Sequence, residues 1–249
     1  MKKQNQSVRK FVAAWVLTVS LAAPFVVGCG ASPQAPSDAK AQQAVAANGK
    51  DLAPLALKLP TPTAKGTPDD LPKGANVEQY SDKAPPPFMA PKGVVNVALG
   101  KKVTCSQEKL FTGNLSQITD GKKEPDDDQV VEMKKGVQWV QLDLEKVYPL
   151  SAIALWHDHR WLQVFHGVVA QAADDAEFTK NVRTVFNNDF ENTAKLGAGT
   201  DKEYFETMYG KIIDPKGIQA RYLRFYSRGS SMTAYNVYQE IEVYALPAP

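Results

Sequence analysis

Three stretches in the second half of the chain alternate apolar and polar residues with a period of two. In Gln138-Trp139-Val140-Gln141-Leu142-Asp143-Leu144 the residues Val140, Leu142 and Leu144 share one side, and in Ala220-Arg221-Tyr222-Leu223-Arg224-Phe225-Tyr226 Leu223 and Phe225 do so. Glu240-Ile241-Glu242-Val243-Tyr244 sets Ile241 and Val243 inward and leaves Glu240 and Glu242 on a solvated face. That period is the one of a strand covered on one side. Leu150 to Trp156, Val164 to Ala172 and Lys102 to Ser106 read as further strands, whereas Asp175 to Arg183 and Thr200 to Tyr209 read as helical or irregular loops. Strands separated by Gly, Asp, Asn and Pro predict an all-β fold, an antiparallel sandwich rather than βαβ units.

The front of the chain follows other rules. Lys2, Lys3, Arg9 and Lys10 precede an apolar run from Phe11 to Val27, too short for a confident membrane span and therefore read as a signal-peptide core. Val26-Val27-Gly28-Cys29 resembles the bacterial lipobox, which implies removal of residues 1–28 and a thioether from Cys29 to diacylglycerol. Acyl chains would hold the protein to a membrane, since each buried CH₂ contributes about 0.8 kcal/mol. Gly30, rather than Asp, follows the cysteine, which by the same resemblance directs the protein to the outer membrane of the cell envelope.

Residues 29–91 then read as a tether. Eleven of the 17 prolines fall there, beside many Ala, Lys, Gln and Ser, and so few large apolar residues cannot offset the entropy of ordering. The expected form is a flexible, partly polyproline spacer, with Leu52 to Leu59 as its one apolar patch. The folded domain is placed at 92–249.

Composition narrows the chemistry. The net charge of +2 comes from mixed signs, with no basic stripe for nucleic acid. With Cys29 acylated, Cys105 has no partner, so neither a disulfide nor a cysteine-based zinc site is expected, and Cys105 reads as a small buried hydrophobe. The chain lacks Gly-x-Ser-x-Gly, His-Glu-x-x-His, Cys-x-x-Cys and a phosphate loop, and it is read as a non-enzyme.

One cluster stands out. All three histidines lie in Trp156-His157-Asp158-His159-Arg160-Trp161-Leu162-Gln163-Val164-Phe165-His166. Residues at i and i+2 of a strand share a face, so His157 and His159 could offer two imidazoles to zinc or copper, with Asp158 or His166 nearby. Alternatively, the tryptophans pack inward while the His and Asp side chains bond within the loop.

Several segments resemble, in order and spacing, the discoidin or coagulation-factor type C domain of the galactose-binding-like fold. They are Asn96 to Lys101, Ile118-Thr119-Asp120-Gly121, Trp139 to Leu144, Ala152 to Trp156, Ala170 to Asp175, Ala220 to Phe225 and Glu240 to Tyr244. The resemblance implies a jelly-roll β-sandwich that binds its ligand with loops at one end. It implies a membrane-anchored, non-catalytic binding module for a carbohydrate or another envelope ligand; the alternative is a structural or assembly lipoprotein that docks on an envelope protein. The loop matching the family's ligand grip runs Trp156, His157, Asp158, His159, Arg160, Trp161, with Arg160 donating to hydroxyls and Trp156 or Trp161 stacking on the sugar. The family's structural calcium would fall at Asp120 and Glu240, with Asp126, Asp127 or Asp128 adding oxygens. Here, however, Glu124-Pro125-Asp126-Asp127-Asp128-Gln129 replaces the family's usual continuation of the Asp-Gly turn, and Asp120 could instead cap its own backbone.

Overall fold

A computed structural model describes residues 51–63 and 70–247; the signal-peptide expectation for 1–28 and the acylation expectation at Cys29 lie outside the described residues. In chain order the strands are β1 (Leu52–Pro54), β2 (Met89–Pro91), β3 (Val95–Asn96), β4 (Val103–Cys105), β5 (Val131–Lys135) and β6 (Gln138–His157). They continue with β7 (Val169–Ala173), β8 (Arg183–Asn187), β9 (Lys211–Ile213), β10 (Gln219–Ser227) and β11 (Tyr235–Ala245). Among the described residues the only helical pieces are two 3₁₀ turns, Leu115–Thr119 and Asp127–Gln129.

The all-β expectation holds, and β6 explains how the strands form two layers. Its first half lies between β4 and β10, beyond which come β7 and β8; its second half lies between β9 and β11, which also carries β3 and β5. Every one of these pairings is antiparallel. The turn from one layer into the other comes at Glu145, whose φ of 66° is left-handed. Its amide donates to Asp143 Oδ1 at 2.7 Å, and Arg221 forks onto the same carboxylate at 2.7 and 2.8 Å. The β6–β10 register shifts opposite this point, as a bulge that bends the strand requires. Leu150 to Trp156 is therefore the continuation of one long strand.

The inward positions read from the period of two are correct. Val140, Leu142, Leu144, Leu223, Phe225, Ile241 and Val243 are wholly buried in one core between the layers. Elsewhere the ladder is shorter or unforeseen. Of the expected Val164 to Ala172 strand only the part from Val169 onward forms a ladder, which runs one residue further to Ala173; Thr200 to Tyr209 is irregular, one of the two forms expected of it. Glu240 and Glu242, expected on a solvated face, are 0 and 5 % exposed, because the Asp120-Gly121 turn and Lys123 cover that side of β11.

A second departure concerns the expected tether. Ala152, Ala154, Trp156 and Tyr244 form an apolar patch on the outer side of the second layer, and Leu55, Leu57, Phe88, Val94 and Ile212 pack on it. β1 pairs with β2, and Leu55 N donates to Phe88 O at 2.7 Å. From residue 51 the described part of the proline-rich stretch is thus seated on the sandwich. The physical reason is the patch itself: water would otherwise meet a tryptophan and a tyrosine, and each half-covered leucine contributes of the order of 1 kcal/mol.

Candidate ligand cleft

β6 ends at His157 and the chain turns, so the six residues expected to grip a ligand part company. Trp156 faces outward from the sheet beneath the N-terminal segment, wholly buried, and its indole N–H donates to Met208 O at 3.1 Å. His157 faces inward. Its ring stacks on Phe165 with centroids 4.2 Å apart and tilts against Tyr238 at 4.8 Å, while Nδ1 lies 2.8 Å from Glu206 Oε1. Asp158 is buried and accepts from Arg160 Nε at 2.7 Å and from a second guanidinium nitrogen at 2.9 Å. Arg160 also bonds to Asp127, and the Asp158 carboxylate holds its pKa above the ordinary arginine value.

The ligand-loop expectation is thereby corrected for four of its members. Trp156, His157 and Asp158 belong to the interior, and the donors of Arg160 serve two aspartates. Trp161 is 59 % exposed at the surface. His159 lines a cavity. Its Nε2 lies 2.8 Å from Lys123 O, and since a carbonyl only accepts, Nε2 carries the hydrogen. Its Nδ1 is buried and has no partner among the described residues.

The paired-imidazole metal reading is corrected as well. His157 meets Glu206, His159 meets Lys123 O, and His166 Nδ1 lies 2.7 Å from Glu203 Oε1, so the three rings serve separate partners. Among the described residues no three His, Cys, Asp or Glu side chains converge to hold a metal ion.

The cavity beside His159 has a volume of about 340 Å³ and is closed by Glu206, Tyr80, Asp82, Leu162 and Tyr209. Glu206 lines it from a fixed position: the carboxylate is held by His157, and its backbone N–H donates to Gln163 O at 2.8 Å. Burial and the nearby Glu206 charge push the Tyr204 phenol well above its ordinary pKa. Thr63 Oγ1 donates to His159 O at 3.0 Å, bringing the N-terminal segment to the edge of the same cleft. Tyr80, Asp82, Glu206 and Tyr209 were not foreseen. The dense aromatic content of Tyr204, Phe205 and Tyr209 was the signal that could have marked this loop.

The Asp120-Gly121 turn does lie against the last strand, where the calcium expectation placed it. Gly121 N donates to both oxygens of Glu240 at 3.2 Å. The residues nevertheless do not fit calcium. Asp120 Oδ1 accepts from Lys122 N at 2.8 Å, capping its own turn. The carbonyls of Thr119, Lys123 and Glu124 already accept from Gly100, His159 and Gln239. A cation is built in, since Lys123 Nζ sits 2.6 Å from Glu242 Oε1 with both side chains under 10 % exposed. Burial pushes the Glu240 carboxyl up to about 9, with the neighbouring Glu242 adding to the rise and Lys123 opposing it.

No protein-family model matches the sequence, and no curated protein does. Solved structures do resemble this chain. Chitosan-binding module 1 of a chitosanase/glucanase from Paenibacillus sp. IK-5 is 19 % identical, with 61 % of this chain and 99 % of that one aligned and a TM-score of 0.41. A fucose-binding module from Streptococcus pneumoniae is 18 % identical over 61 % of this chain and 99 % of that one, with a TM-score of 0.45. A fucolectin from striped bass, Morone saxatilis, is 17 % identical over 66 % of this chain and 51 % of that one, with a TM-score of 0.47.

Proposed function

We propose that this chain is a lipid-anchored, non-catalytic carbohydrate-binding module of the discoidin type, and that its sugar site is the cleft beside His159. The observation that carries the reading is the composition of that cavity of about 340 Å³, whose lining brings His159 and Asp82 together with the rings of Tyr80 and Tyr209. A pyranose presents hydroxyl donors around its edge and C–H faces above and below. Fixed acceptors meet the first and aromatic faces the second. The volume falls within the ~300–1,000 Å³ of sites that hold small ligands. The Glu206 carboxylate is wholly buried and committed to His157, so it fixes the wall of the cleft and is not poised to attack a ligand.

Cys29 supplies the anchor in this reading, with Gly30 directing the protein to the outer membrane. No calcium takes part.

A glycan array probed with the full chain, followed by calorimetry on the sugars that score, tests the binding. His159→Ala and Tyr209→Ala are expected to weaken affinity about tenfold each, the loss of one good hydrogen bond or stacking contact. A blank array, together with a specific envelope protein retained by the same chain, would instead establish the docking and assembly role. For the anchor, Cys29→Ala is expected to move the protein from the membrane to the soluble fraction. A wild-type chain found soluble removes the lipid.

A further inference from the structure

The N-terminal segment does more than cover Trp156. Between residues 76 and 82 it runs beside the 203–209 loop, with Glu78 N donating to Glu203 O at 2.8 Å and Glu203 N to Asn76 O at 2.9 Å. Lys211 Nζ bonds to Glu78 Oε1 at 2.5 Å, and Tyr80 meets Phe205 edge to face with centroids 5.4 Å apart. These contacts hold Tyr80 as a wall, and three cavities open onto it. One is the 340 Å³ cleft beside His159; the others have volumes of about 610 and 570 Å³. Tyr80 and Ser81 line all three, Tyr209 joins the first to the second, and Phe205 joins the second to the third.

From this continuity we infer that the site takes several linked sugar units of a polysaccharide chain, with the N-terminal segment supplying the wall of the added subsites. The inference rests on the carbohydrate reading given above. Each cavity is of a size that holds a small ligand, so a single ring would fill the first and leave the other two in water. The rings that separate them, Tyr80, Phe205 and Tyr209, are all half-buried, which fixes each ring while leaving part of it to the cavities. Carboxylates recur along the path as well, with Asp82 in the first and third cavities and Glu78 in the second and third. An aromatic face with an acceptor beside it, repeated along a groove, matches a repeating pyranose chain.

The test is calorimetry of the full chain with mono-, di-, tri- and tetrasaccharides of the glycan that scores on the array. Affinity is expected to rise about tenfold or more from one unit to three, since each added stacked ring contributes of the order of 1 kcal/mol. Gln79→Ala alters an exposed lining residue of the added cavities only, so it is expected to reduce that gain and leave monosaccharide affinity unchanged. Phe205→Ala removes the ring shared by the added cavities and the edge on which Tyr80 packs, so it is expected to erase most of the gain and to weaken the monosaccharide as well. Affinity that stays flat with length, or a gain that survives both variants, overturns the extended groove while the single-sugar cleft stands. Absence of binding at every length overturns the carbohydrate reading itself.

Discussion

The ammonium of Lys123 lies 4.9 Å from the ring centroid of Trp156, beside the Asp120-Gly121 turn where that turn lies against the last strand. It has two carboxylates to serve, Glu240 and Glu242, and bonds to one of them. Tyr244 O–H donates to the other oxygen of Glu242 at 2.7 Å, so that carboxylate is satisfied at both ends. One buried positive charge then neutralises one glutamate, and Glu240 holds a proton in its place.

Removal of one partner from such a pair leaves an uncompensated buried charge. Lys123→Met is therefore expected to destabilise the protein by about 3–5 kcal/mol, read from denaturant unfolding. The double variant Lys123→Met/Glu242→Gln is expected to recover at least half of that loss, because no charge remains to be stranded. A double variant no more stable than the single would show that Lys123 acts through packing against Trp156 instead.

An ammonium in this position also bears on metals. Thermal unfolding midpoints measured with millimolar calcium and with excess chelator are expected to agree within about 1 °C. A structural ion held by the native state alone would raise the midpoint by several degrees at saturating concentration. Such a rise would return Asp120 and Glu240 to the role of ligands.

Glu240 gives the fold a pH dependence of definite sign. Its folded pKa of about 9 stands above the ordinary glutamate value of 4.5, so the folded state binds the proton more tightly than the unfolded chain. The stability this group contributes is present in full below pH 4.5 and is lost as pH rises through about 9. Its slope reaches about 1.4 kcal/mol per pH unit in between. Glu240→Gln carries no charge to suppress, and its stability is expected to vary less over the same interval. Parallel pH profiles for variant and wild type would dissociate Glu240 from the effect.

Local periodicity revealed the core of this fold because Val140, Leu142, Leu144, Ile241 and Val243 each sit on a strand with one dry face. It failed where coverage came from distant chain. The run Ala152-Ile153-Ala154-Leu155-Trp156 is apolar without a break, the mark of a strand buried on both faces. That pattern called for a cover on its outer side, and Leu55, Leu57 and Phe88 of the proline-rich stretch provide it. The cleft was hidden for the same reason. His159, Glu206 and Tyr80 are separated by dozens of residues, and nothing in the spacing of the histidines tells that His157 turns inward while His159 meets the edge of a loop from the far end of the chain.

If the segment around Leu55 is a cover, cutting back its side chains should loosen it before the sandwich melts. Leu55→Ala/Leu57→Ala is expected to lower global stability by about 1–3 kcal/mol, the loss of two half-buried leucines. Hydrogen exchange is expected to quicken at Leu55 N, whose bond to Phe88 O fixes the segment, and to stay slow in β10. Uniform quickening across both would mean that the segment and the sandwich unfold as one cooperative unit.

Gly210 tests how far the cleft depends on its support. Its φ is +63°, and a Cβ built there would come within 2.5 Å of Trp156 Cε2. The indole cannot retreat freely, being wholly buried and tied to Met208 O. Gly217 makes a control, with φ +70° and nothing within 4 Å of its own added Cβ. Gly217→Ala therefore measures the left-handed backbone alone, about 1–2 kcal/mol, while Gly210→Ala adds the displaced tryptophan, a further 1–3 kcal/mol or so. Since Met208 and Tyr209 line the cleft next to Gly210, the second variant is also expected to weaken ligand binding and to shift tryptophan fluorescence, where the first does neither. Equal losses of stability in the two variants would mean that the Trp156 side of the loop yields without strain, and that the cleft is held by Glu206 and His157 instead.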